Sequence, residues 1–163
     1  MATVLCSPAL WRCGRAWRCA GGAPPGRGSS GVFGPWTATT IPTGRCEIVM
    51  AVEHRTYMAL VCDLGAEATF RAAWNRSLLT AFEDMQVPIA RVAPAACTSP
   101  RFEPLKDERF TAILAAVEFV CRTELHYCSD LRVIQRRLNE FPHDHPPDYA
   151  PIAAVRRLFG IGP

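Results

Sequence analysis

Cys121, His126, Cys128, His143 and His145 are the closest grouping of side chains that could hold a metal, because structural zinc takes four thiolates or imidazoles in a tetrahedron. Such ligands usually come in pairs two to four residues apart on a turn. Here the spacing is helical instead. Cys121 and Cys128 fall on one stripe, and His126 points about 140° away from it. The two cysteines are therefore expected to fill a core as small apolar side chains, and His143 and His145, which flank Asp144 in a proline-rich stretch, to be solvated. No metal and no cofactor is expected.

Covalent catalysis is no better supported by the spacing. A cysteine nucleophile needs a thiolate beside a base, and no Cys and His, Cys97 included, are placed by sequence to meet. A serine elbow of the form G-x-S-x-G is absent. Asp63-Leu64-Gly65 after an apolar run resembles the phosphate-loop opening of actin-like sugar kinases. That family continues into a Gly-Thr turn, where this chain has Ala66-Glu67-Ala68-Thr69, and it needs two lobes of about twice this length.

A third chemistry lies on the polar side of a predicted helix over 129–141. Arg132, Gln135, Arg136 and Asn139 share a face, and these are side chains suited to phosphates and base edges in a major groove. A helix, a tight corner and such a helix make the outline of a helix-turn-helix.

The elements that must position these residues centre on Leu105 to Phe141. At 100° steps Phe110, Ile113, Leu114, Val117, Val120, Cys121, Leu125 and Cys128 form one core-facing stripe. Pro104, Asp107 and Glu108 mark its N-terminus. Ser129 and Asp130 can cap a second helix, in which Leu131, Ile134, Leu138 and Phe141 recur until Pro142. Upstream, Thr56 to Asp63 reads as a strand and Ala66 to Met85 as a helix with Phe70, Trp74, Leu78, Ala81, Phe82 and Met85 at helical spacing. Val87 to Val92 reads as a short second strand at a sheet edge, or as a loop, because of Pro88. A last helix is capped by Asp148, presents Ile152, Val155, Leu158 and Phe159, and ends at Gly160.

The expected fold is mainly α, a small domain of three to five helices with one or two short strands. The alternative is α+β with a β-α-β opening. Residues 50–163 form this single domain, and residues 1–49 a disordered arm, which holds 8 of the 11 glycines, 5 of the 14 prolines, five arginines and one acid, Glu47. The rest is close to neutral, with 13 basic against 14 acidic residues, so the net charge of +3 belongs to the arm. A neutral body lacks the basic surface by which proteins displace phosphate counterions.

Arg12, Arg15 and Arg18 interrupt any apolar core of a secretory signal, so the eight cysteines are expected as thiols inside a cell. The arm's arginine-bearing amphipathic start fits a mitochondrial presequence; otherwise the location is cytoplasmic or nuclear, with Met50 as a second candidate start. No membrane span is expected.

Functionally, the expectation is a non-enzymatic helical module that binds a protein partner, with Trp74 and Phe119 as its surface. Phe119 lies opposite its helix's own core stripe. The alternatives are a helix-turn-helix regulator that uses 129–141 to bind nucleic acid, and a small mitochondrial accessory protein. The partner's identity and the oligomeric state are not legible.

Overall fold

The computed structural model describes residues 33–43, 47–63, 67–96, 108–142 and 150–162. Most of them are helical, but the centre is a sheet. Strands β1 (Trp36–Pro42), β2 (Glu47–Glu53) and β3 (Ala59–Asp63) are followed by helices α1 (Glu67–Asp84), α2 (Ile89–Ala96), α3 (Glu108–Tyr127), α4 (Leu131–Glu140) and α5 (Pro151–Leu158). The strands run antiparallel in the order β1-β2-β3, with Ala38 opposite Ala51 and Ala51 opposite Leu60.

Both faces of this sheet are covered, which is why β2, EIVMAVE, reads as a continuous apolar run with no alternation. One face, with Val49, Ala51 and Leu60, packs against Trp74, Leu78 and Phe82 of α1, Val92 of α2 and Val155 of α5. The other, with Ile48, Met50, Val52 and Val61, packs against Phe110, Leu114, Val117 and Cys121 of α3 and Ile134 and Leu138 of α4. Trp36 meets Trp74 edge-on at 5.1 Å between ring centroids, and Phe82 meets Phe159 at 5.5 Å.

Three expectations are corrected. The boundary between residues 49 and 50 falls inside β2, and residues 36–42 and 47–49 form strands of the sheet. Gly34 and Pro35 precede β1, and Pro42 closes it at a sheet edge, where a missing amide costs little. Second, Val87 to Val92 is not a strand. Pro88 precedes a helix, and its carbonyl accepts the Arg91 amide at 2.9 Å, so α2 replaces the second arm of a β-α-β unit. Third, the sheet has three strands, and β3 spans Ala59–Asp63 because residues 54–58 form the β2–β3 turn. The arginine-bearing start of the arm read as a presequence, and the caps assigned to Pro104, Asp107 and Asp148, lie outside the described residues.

That turn is built on a buried acid. The Glu53 carboxylate is fully buried and accepts from the Thr56 amide and hydroxyl, both at 2.7 Å, from the Arg55 amide at 3.0 Å and from the Gly34 amide at 2.7 Å. Gly34 must lack a side chain here, since a Cβ would stand 2.8 Å from the Glu53 oxygen. Tyr57 carries the positive φ of 58° that reverses the chain.

The outer edge of β3 is closed by α4. Ala59 donates its amide to Asn139 Oδ1 at 2.8 Å, and its carbonyl accepts from Asn139 Nδ2 at 2.9 Å. Val61 donates to Gln135 Oε1 at 2.9 Å, Gln135 Nε2 donates to the Ser77 carbonyl at 2.9 Å, and the Ser77 hydroxyl donates to the Val61 carbonyl at 3.0 Å. Two side-chain amides thus take the place of a fourth strand and tie α1, β3 and α4 together. An unmatched buried amide or carbonyl costs about 1–3 kcal/mol. Replacing Asn139 or Gln135 by leucine, which leaves two such groups unmatched, should lower unfolding free energy by about 2–4 kcal/mol. Urea denaturation measures this, and a loss below about 0.5 kcal/mol would show that water or backbone movement satisfies the strand instead.

Candidate functional site

Helix α3 buries one apolar side in the core and carries further apolar residues on the side turned away from it. Phe110, Ile113, Leu114, Val117 and Cys121 point into the sheet and are buried. Stepping 100° per residue from Phe119, the residues Glu108, Ala112, Ala115, Ala116, Arg122, Thr123 and His126 fall within about 60° of it, with Tyr127 at about 80°. All are exposed; Phe119 is 72% and Tyr127 80% accessible, among the largest values for any apolar or aromatic side chain described.

Few charges interrupt this face. Between Ala112 and Thr123 it carries only Arg122, at its border, whose Nη2 is held by Glu118 at 2.7 Å. Thr123 turns its hydroxyl back onto the Phe119 carbonyl at 2.9 Å. The His126 and Tyr127 rings meet edge-on at 5.2 Å. A surface helix normally presents charged residues to water. This one presents alanines flanking a phenylalanine.

The other expected surface residues lie elsewhere. Trp74 is 2% accessible, because α1 turns it onto Trp36, so it belongs to the core and not to a partner surface. Gln135 and Asn139 are 1% and 3% accessible and fully engaged with β3 and Ser77, so neither can reach a base edge. Arg132 is exposed but reaches Asp84 at 2.7 Å and Glu83 at 3.6 Å, and the Asp84 hydrogen bond raises its pKa still further. Arg136 pairs with Glu140 at 3.3 Å and Arg137 with Glu124. The arginines of α4 are thus neutralised by carboxylates where phosphate binding needs free positive charge.

A cleft of about 170 Å³ opens at the end of β3 between α1 and α4, lined by Asp63, Arg76, Ser77, Thr80, Arg132 and Gln135 among others. Ligand sites for small molecules usually hold about 300–1,000 Å³. Three of these side chains are already engaged, which leaves Asp63, Arg76 and Thr80 to meet a solute. A pairing that the spacing did not suggest is Thr37 Oγ1 with His54 Nε2 at 2.7 Å, a hydroxyl beside a base. Thr37 is fully buried on the covered face of β1, so the contact joins β1 to the turn after β2 and offers no surface to a substrate.

No group of three or more His, Cys, Asp or Glu side chains among the described residues could hold a metal. His143, His145 and Cys97 lie outside the described residues. Cys121 is buried and His126 exposed, as the helical phase requires, whereas Cys128 is partly exposed because α3 ends at Tyr127, one residue before it. Burial pushes the thiols of Cys62 and Cys121 up to about 12, with Asp63 adding to the effect at Cys62. The native protein keeps both protons while the unfolded chain loses them near pH 9.0. Both cysteines should therefore resist a thiol reagent at pH 8 until denaturant is added. Stability should fall as pH rises between about 9 and about 12, and less steeply in a Cys62→Ala, Cys121→Ala variant. Equal slopes for the two proteins would show that these thiols do not report folding.

No family model, no curated protein and no solved structure matches this chain.

Proposed function

We propose that the protein is a non-catalytic docking module whose binding face is the outward side of α3, centred on Phe119. The observation behind this reading is that α3 buries one apolar side in its own core and leaves a second, with Ala112, Ala115, Ala116 and Phe119, in water. Exposed alanines flanking an aromatic let another helix approach closely and give it a ring to pack against. Phe119 supplies the area and the alanines supply the hollow. The rest of the fold is the support: the sheet and α4 fix α3 from behind.

The reading separates from a purely structural one by a single substitution. Phe119→Glu should leave the melting temperature within about 2 °C of the native value, since surface changes usually stay within about 0.5 kcal/mol. It should also remove the high-mass complexes that the native protein forms in extracts of its own cell, followed by native size-exclusion chromatography. Complexes that persist unchanged would refute the α3 face as the docking site, and an unfolded variant would show that Phe119 belongs to the core.

A further inference from the structure

We propose that the partner of the α3 face is α3 of a second copy, packed antiparallel about a two-fold axis that passes near residues 117–118. This rests on the reading of α3 as the docking face and names what occupies it. The evidence is the order of side chains along the exposed stripe. Its N-terminal half is small, with Ala112, Ala115 and Ala116, and its C-terminal half is bulky, with Phe119, Thr123 and Tyr127. A parallel copy would set Phe119 against Phe119 and alanine against alanine. An antiparallel copy sets Phe119 into the hollow between Ala112, Ala115 and Ala116 of the other helix, and by symmetry does so twice, which is what an isologous two-fold interface requires.

The charges at the two ends agree with the same register. Pairing Phe119 with residues 115–116 of the other copy brings Glu108 opposite His126 and Tyr127. Glu108 and His126 are separated by five helical turns and so lie on the same side of α3. A carboxylate thus meets a phenol hydroxyl and an imidazole at each end, and antiparallel helices also align their dipoles favourably. Arg122, already paired with Glu118, stays at the rim.

The area sets the strength. A stripe of 20 residues is about 30 Å long and roughly 10 Å wide. The two copies together would bury on the order of 600 Å², about half of the ~1,200 Å² at the low end of standard stable interfaces. Pairing is therefore weak, reversible and concentration-dependent.

Sedimentation equilibrium on the full chain from about 1 to 500 µM should show monomer passing to dimer, with no larger species. Phe119→Glu should weaken the dimer at least 100-fold. Ala116→Trp, which adds apolar surface but fills the hollow, should weaken it too; general stickiness predicts the opposite. His126→Glu should weaken pairing about tenfold by facing Glu108 of the other copy, and Glu108→Lys in the same chain should restore it. A native chain that stays monomeric throughout this range overturns self-pairing, as does an Ala116→Trp dimer as tight as the native one or a failed rescue. None of these results decides the docking face itself, which the cell-extract experiment with Phe119→Glu tests separately.

Discussion

The fold depends on how the outer edge of β3 is closed. A three-stranded antiparallel sheet has two edges, and an edge strand carries amides and carbonyls that must find partners once helices bury it. At β3 the partners are the carboxamides of Gln135 and Asn139, one turn apart on α4, with Ser77 of α1 completing the circuit. A carboxamide carries both a donor and an acceptor, as a peptide group does, so two of them can stand in for a neighbouring strand. Aspartate or lysine at either position would supply only part of that pattern.

This closure fixes the placement of everything around it. Helix α4 can reach β3 only by lying along the sheet edge, between α1 and α3, and it is held there also by Arg132 with Asp84 and by Arg137 with Glu124. Its apolar residues Ile134 and Leu138 then complete the core beneath α3. With that core filled, α3 has no further neighbour on its outward side among the described residues. The apolar face around Phe119 is a consequence of this layering, since the helix is more apolar than its one buried side requires.

The arginine cluster and the aromatic pair show how far residue types can mislead about a site. Gln135 and Asn139 are polar residues on a helix with an obvious apolar stripe, and helical phase alone assigns them to water. They are buried because a strand edge, distant by 74 and 80 residues, needs them. Trp74 is the reverse case. Its helical phase already grouped it with Leu78 and Phe82, and a large indole on a core stripe packs against whatever aromatic the sheet supplies, here Trp36. Phe119 was legible, because its position opposite Val117 and Cys121 is a property of the helix itself.

By itself the sequence determined the helices with sustained period: α1, α3, α4 and α5 fall where their apolar residues recur, and Asp130 caps α4 by accepting from the Arg132 amide at 2.9 Å. It also determined that Cys121 faces inward and His126 outward. It did not disclose β1 and β2. The threonine-rich WTATTIP has little hydrophobic contrast, and a strand buried on both faces has no alternation to read. Only the tertiary structure decided that β3 would be sealed by side-chain amides, that the chain upstream of Met50 enters the sheet, and that no other described residue covers the outward side of α3. Each of these depends on contacts between residues far apart in the chain, and local periodicity carries no information about them.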